Sequence, residues 1–250
     1  MLPEIAFVVG TRQVVLSVHA LAIVVGVAAG ATLALRRARD PAPVLVALPV
    51  VAVAALVGAH VCFLALRSER GGVWTGGLAS MGGVAAGLAA AAVVARAMRR
   101  RAAELLDAIA PAGLLALGIG RVGCFLAGCC YGRATSLPWG VVFPEVGPPA
   151  RHPLQLYSSA VDLALVLLLP ARAARAGLVA CRACLGFAIA RAALETLRDP
   201  ATTDALAGAV TVPQAATLVL AIGALACARR LRHREGSIMP RARRGFVHGR

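Results

Sequence analysis

Lysine is absent from this chain, and all 26 of its basic residues are arginine. Acidic side chains are scarce as well, 11 in 250 residues, and aromatic ones make up only 4%. Charged residues of every kind reach 15%, whereas 60% of the chain is apolar and its mean hydropathy is +0.81. No soluble domain of this length needs so much apolar surface for its core, so the composition excludes a water-soluble globular fold and points to a polytopic membrane protein. The net charge of +15 raises the question of nucleic acid. The arginines, however, sit in short clusters between apolar runs rather than along one soluble face, and no nucleic-acid partner is expected. The opening "MLPEIAFVVG" lacks a basic stretch and a small-residue cleavage site, so the first span is expected to direct insertion itself.

A helix needs about 20 apolar residues to cross the hydrocarbon core. Seven segments meet that need, at roughly 14–35, 43–66, 77–97, 104–125, 153–170, 177–197 and 210–228. The fold class expected is all-α, a polytopic helical membrane bundle of about seven spans. It divides into a transmembrane domain over 1–228 and a basic tail over 229–250, expected to be disordered and cytoplasmic. Orientation follows from the arginines, because cytoplasmic loops collect them. Arg36, Arg37, Arg39, Arg96, Arg99 to Arg101, Arg172, Arg175, Arg182 and the tail from Arg229 account for 18 of the 26 and fall on one side of a seven-span chain. That side is expected to be cytoplasmic, with the amino terminus outside. The other eight, Arg12, Arg67, Arg70, Arg121, Arg133, Arg151, Arg191 and Arg198, serve no insertion purpose. Small residues in "GGVAAGLAAAA" (Gly82 to Ala92) would let helices approach closely.

Five of those eight arginines lie in three segments that carry chemistry. "GRVGCFLAGCCYGR" (Gly120 to Arg133) holds Arg121, Arg133 and three cysteines. "RHPLQLY" (Arg151 to Tyr157) opens the fifth span with a cation, a histidine, an amide and a phenol. "GFAIARAALETLRDP" places Arg191, Glu195 and Arg198 at i, i+4 and i+7, on one helix face. Each arginine alone could be an interfacial side chain snorkelling to water, and the ladder alone could satisfy itself. Together they bring more cation to one depth than Glu195 and Asp107 can neutralise, and the deficit calls for a bound anion. Arginine forks match phosphate oxygens in pairs, and a phosphate at the outer bilayer surface is most simply a phospholipid head group.

"GRVGCFLAGCCYGRATSLPWGVVFP", followed by "RHPLQLY" and "RAALETLRDP", resembles the prolipoprotein diacylglyceryl transferase family over about residues 14 to 200. The resemblance implies seven spans in the bacterial cytoplasmic (inner) membrane. It also implies transfer of the diacylglyceryl group of phosphatidylglycerol to the lipobox cysteine thiol of a prolipoprotein, releasing glycerol 1-phosphate. By position, Arg121 and Gly123 match the family's essential arginine and the glycine that follows, and Gly132 with Arg133 match the end of that signature. Arg191, Glu195 and Arg198 match its charged face in span six, and Asp107 an acidic residue before it. The chain departs from the family where an Asn and a Glu give way to Cys124 and Cys129, and where Met81 in "GGLASMGG" replaces a histidine. His19 and Phe187 stand in place of tyrosines.

The phospholipid-binding set is therefore Arg121, Arg133, Arg151, Arg191, Arg198, Gly123, Gly132 and Tyr157. The catalytic candidates are Arg121 and Arg191 for the leaving phosphate, and Glu195, His60 in "GAHVCF" and His152 for the thiol proton. No cofactor is expected. No metal is expected either, since no histidine spacing around the cysteines supports zinc. A disulfide among Cys124, Cys129 and Cys130 is expected to brace the glycine-rich turn. Two other readings stay open: a membrane thiol/disulfide oxidoreductase built on "CRAC" (Cys181 to Cys184), and a lipid-binding relative without catalysis.

Overall fold

The computed structural model describes residues 4–9, 12–66, 78–199, 205–207 and 210–233. Arg67, Arg70, Pro200 and the tail from Arg234 lie outside the described residues. An antiparallel hairpin, β1 (Glu4–Val9) and β2 (Arg12–Ser17), precedes seven described helices. These are α1 (Val18–Arg37), α2 (Pro41–Leu66), α3 (Ser80–Ala97), α4 (Ala102–Leu126), α5 (Leu154–Leu168), α6 (Leu178–Glu195) and α7 (Val212–His233). A short pair, β3 (Ala205–Ala207) and β4 (Val210–Thr211), leads into α7.

The seven helices occupy the seven expected segments, in an all-α membrane bundle. The starts differ from the sequence reading by one to four residues, most at the first span. The first span begins at Val18 rather than 14, because residues 12–17 are β-rich and pair with the preceding strand. Ser17 then caps the helix, its Oγ accepting from the Ala20 N–H at 3.4 Å. The last helix starts two residues late, after β4. Five helices are long and apolar enough to cross a membrane. Of the other two, α5 is apolar but has 15 residues, and α6 carries Arg182, Arg191 and Glu195 within its length.

α4 is the central helix, packed against α1, α3, α5 and α6. Small residues make those approaches possible. Gly26 and Gly30 of α1 lie against the backbone carbonyls of Ala116 and Ala112, where a built Cβ would stand 2.7 Å from either oxygen. Gly58 and Gly82 do the same for α2 and α3, as the small-residue stretch after Met81 led one to expect. Large apolar side chains such as Val53, Val93, Leu167, Val219 and Ile222 face outward. That inverted pattern is what a lipid solvent selects, since hydrocarbon-facing surface has no reason to be polar.

The two ends of the bundle are closed differently. At one end Arg37 of α1 donates to the Val166 and Pro170 carbonyls at 3.0 and 3.4 Å, satisfying the last turn of α5. At the same end Asp107 of α4 accepts from the N–H groups of Gly177 and Ala180 at 2.7 and 2.8 Å, capping α6. At the other end the chain from Ala127 to Pro153 folds over the bundle as an irregular cap.

Candidate functional site

Beneath that cap, three helices deliver buried charge to one place. Arg191 and Glu195 of α6 are 6% and 5% exposed, and Asp162 of α5 is 4% exposed. Asp162 lies within electrostatic reach of Arg121 of α4 and of Arg191, and Arg191 within reach of Arg121 and Arg198. Glu195 Oε2 accepts from Arg191 at 3.4 Å and from Arg198 at 3.1 Å, as the i, i+4, i+7 spacing required. Arg121 reaches the start of α3, donating to Ser80 Oγ at 3.2 Å.

Three arginines thus share two buried carboxylates, a surplus of one positive charge in a low-dielectric site. The surplus is also visible as unused bonding capacity. Arg191 Nε and Nη1 and Glu195 Oε1 are buried with no hydrogen-bond partner. Such groups cost free energy unless a ligand completes them. A tetrahedral anion is the natural complement of guanidinium forks.

Backbone ties hold the cap on this cluster. Gly132 N–H donates to the His152 carbonyl at 2.9 Å and Arg133 N–H to the Leu197 carbonyl at 2.9 Å, so the cap is stitched to the end of α6. Gly132 must be glycine here, because a Cβ would stand 2.7 Å from the Leu197 oxygen and 2.8 Å from the His152 Cβ. Gly123 has a parallel reason: its Cβ would lie 2.5 Å from that of Ala22 and 3.3 Å from the His19 Cα. Both glycines leave room for a close approach of neighbouring chain, of Ala22 and His19 at Gly123 and of Leu197 and His152 at Gly132.

The other expected residues take different places. Arg133 has an exposed side chain on the cap. Arg151 pairs with Asp199 and lies 5.0 Å from the centre of the Tyr131 ring. His152 is buried with Nδ1 3.3 Å from the Tyr157 hydroxyl, which also accepts from Trp139 Nε1 at 2.8 Å. This group braces the cap. His60 follows Ala59, whose carbonyl accepts from Ala79 N–H just before Ser80, so it sits on the helix bordering the cluster. Asp107, counted at first with the site's anions, caps α6 at the far end. It lies 14 residues before Arg121 on the same helix, about 21 Å by helix rise. Asp162 supplies the second carboxylate instead. The sequence did carry a signal for it, since a lone acid inside an apolar span is costly without a partner.

The cysteines fall into two groups at opposite ends. Cys181 stands beside the Asp107 cap, its N–H donating to the Gly177 carbonyl. Cys124, Cys129 and Cys130 stand beside Arg121. All seven thiols are free, so the expected disulfide among the latter three is not formed. Cys129 Sγ lies 3.6 Å from the Cys124 carbonyl oxygen. The Cys130 thiol is drawn well below its ordinary pKa by contact with the Cys124 and Cys129 thiols, and then by Arg121 and Arg198. Cys129 is pushed up by the same contacts. Cys130 itself has a left-handed backbone, φ 61°, which turns the chain sharply after Cys129. One feature of this corner could not be read from spacing: His19 of α1 joins Cys124 and Cys129, with ligand-capable atoms all within 4.8 Å of one another.

The departures from the family signature sort into two places. Met81 and Phe187 pack in one apolar cluster around Leu114 and Val166. His19, Cys124 and Cys129 meet beside the arginines.

Proteins named phosphatidylglycerol–prolipoprotein diacylglyceryl transferase are similar to this chain in several bacteria. The protein of Shewanella sp. (strain ANA-3) is 39% identical over 129 residues, 50% of this chain and 48% of its own. That of Geobacter sulfurreducens is 37% identical over 147 residues, 57% of this chain and 56% of its own. That of Aeromonas salmonicida is 41% identical over 90 residues, 36% and 33% respectively. The chain spans about half the length of the curated relatives it matches. The model of one family, prolipoprotein diacylglyceryl transferase, matches residues 4–229. With nearly its whole length matched by that model, the chain belongs to the prolipoprotein diacylglyceryl transferase family.

Proposed function

We propose that this protein transfers the diacylglyceryl group of phosphatidylglycerol to the lipobox cysteine thiol of prolipoproteins, in the bacterial inner membrane. The observation that carries the reading is the arginine surplus over two buried carboxylates: Arg121, Arg191 and Arg198 against Asp162 and Glu195, with two nitrogens of the buried Arg191 unpartnered. Those donors would hold the lipid phosphate and stabilise the charge that develops on it as it leaves. The acceptor sulfur attacks C3 of the diacylglyceryl moiety, the C–O bond to phosphate breaks, and glycerol 1-phosphate departs. The thiol proton passes to a carboxylate, for which Glu195 Oε1, free of its arginines, is better placed than Oε2. His152, held against Tyr157, serves the cap rather than the proton.

The amino terminus faces outward and the carboxyl terminus the cytoplasm, which puts the arginine cluster at the periplasmic surface. The transferase domain takes in 1–228, and the basic residues from Arg229 onward attract anionic lipid. A reporter fused after Arg250 that is active only in the periplasm would reverse this orientation.

A second reading has its own support. Where the family has a histidine and a tyrosine, Met81 and Phe187 fill an apolar cluster, as in a relative that binds the lipid and transfers nothing. Purified protein, phosphatidylglycerol and a lipobox peptide separate the two: a thioether-linked diacylglyceryl peptide by mass spectrometry supports transfer. Lipid binding without product supports the second reading, and neither one returns the thiol oxidoreductase to contention.

A further inference from the structure

His19, Cys124 and Cys129 are brought together by packing rather than by a loop. Gly123 lets α1 and α4 meet backbone to side chain at this level, which sets the His19 ring against the last turn of α4. Cys129 then returns in the turn after that helix, its N–H donating to the Cys124 carbonyl at 3.1 Å. The three side chains offer ligand atoms within 4.8 Å of one another. His19 Nδ1 is buried and has no hydrogen-bond partner. Cys130 follows Cys129 directly, on the exposed side of the three, with its thiol within interaction range of those of Cys124 and Cys129.

We propose that His19, Cys124, Cys129 and Cys130 form a tetrahedral site for a zinc-class divalent cation. Sulfur at about 2.3 Å and imidazole nitrogen at about 2.1 Å from a tetrahedral ion stand about 3.5 to 3.8 Å apart, so the donors need close by only about 1 Å. Thiolates with an imidazole select thiophilic ions and reject magnesium or calcium, which need oxygen ligands. Binding releases three thiol protons and moves no electrons. It would rigidify the turn that carries Cys129 and Cys130, the role that a disulfide was expected to fill.

The test uses the full chain in detergent, thiols reduced, and does not depend on transfer activity. After equilibration with zinc chloride and removal of loose metal, elemental analysis should find one zinc per chain. Cys124→Ala, Cys129→Ala and His19→Ala should each lose affinity by about a hundredfold or more, beyond what outer groups around a metal contribute. Cys184→Ala, at the other end of α6, should keep it. Cobalt(II) read by absorption on the unmutated protein needs no variant to fold, and should give intense sulfur-to-metal charge transfer with a tetrahedral spectrum. Cys130→Ser should weaken that charge transfer. Reduced protein that takes up no zinc, a cobalt spectrum without thiolate bands, uptake only of copper(I), or unchanged affinity in Cys129→Ala would each overturn the site. Unchanged charge transfer in Cys130→Ser would overturn the four-ligand set.

Discussion

The two ends of α4 treat arginine in opposite ways. At the Asp107 end, Arg100 pairs with Asp40 at 3.3 Å, Arg101 with Glu104 at 3.9 Å, and all four side chains are about half exposed or more. Arginines outnumber acids at that end, but Arg100 and Arg101 are exposed, so water as well as the nearby acids solvates them. At the Arg121 end, three arginines converge on two buried carboxylates and leave donors unused. On the proposed reading, abundance of exposed charge belongs to the end that sets orientation, and buried charge without enough counter-charge to the end that binds. The sharpest way to break the comparison is to remove arginines from each end in turn.

The largest effect is expected from Arg121→Ala and Arg191→Ala. Each removes a charge-assisted donor from a water-poor site, where one such loss costs about a hundredfold or more in rate. Arg121→Lys should rescue poorly, because an ammonium cannot present two parallel donors. Transfer rate and phosphatidylglycerol binding, measured after a thermal melt establishes folding, decide it. Full activity in folded Arg121→Ala would remove the phosphate role from this end of the helix.

Next in size are the glycines, which test whether the site depends on backbone contact. Gly123→Ala places a methyl 2.5 Å from that of Ala22, and overpacking of this kind costs about 1 to 3 kcal/mol. The melting temperature should fall, and with it the approach of His19 to the cysteines. Gly132→Ala should loosen the cap from Leu197 and lower lipid affinity more than stability, since the cap lies outside the helical core. An unshifted melt in Gly123→Ala would mean that α1 and α4 sit further apart than described.

Much of this site was legible in the chain itself. The ladder of Arg191, Glu195 and Arg198 followed from helical periodicity alone, and the structure joins those groups in that order. Arg121 stood out because a cation at the end of an apolar run needs a partner. What could not be read were choices made by packing between distant segments. Glu195 and Asp107 looked equivalent as nearby acids, yet a helix separates Asp107 from the cluster by many turns, while Asp162 arrives from a different helix. His19 meets Cys124 and Cys129 only because small residues bring α1 against α4. Arg133, in the same segment as Arg121, turns to the surface, and Arg151, which opens the next segment, turns to Asp199. The opening hairpin was missed for a simpler reason: its apolar residues read as the start of the first span.

A moderate effect should mark the other end, where Asp107 holds α6. Asp107→Asn keeps a capping oxygen and loses the charge, whereas Asp107→Ala leaves the Gly177 and Ala180 N–H groups without their acceptor. The alanine variant should lose about 1 kcal/mol, the usual worth of a helix cap, and the asparagine variant less. Phosphatidylglycerol binding at the Arg121 end should stay unchanged in both, which a binding isotherm at matched folded fraction would check.

The smallest effect belongs to Arg100→Ala. Its guanidinium is 58% exposed and its partner Asp40 is 48% exposed, so the pair sits in water and is screened by salt. Exposed pairs of this kind are worth about 1 kcal/mol or less. Melting temperature and transfer rate should both stay close to those of the unaltered protein, and added salt should erase any remaining difference. Insertion is the property that Arg100 serves, together with its neighbours Arg99 and Arg101, and removing all three should shift the orientation of α3 and α4 before it touches chemistry. A reporter placed in the α3–α4 connection would detect that shift. If Arg100→Ala alone abolished lipid binding with orientation intact, the lipid would be held at the end where arginine is plentiful, and the contrast between the two ends of α4 would have to be reversed.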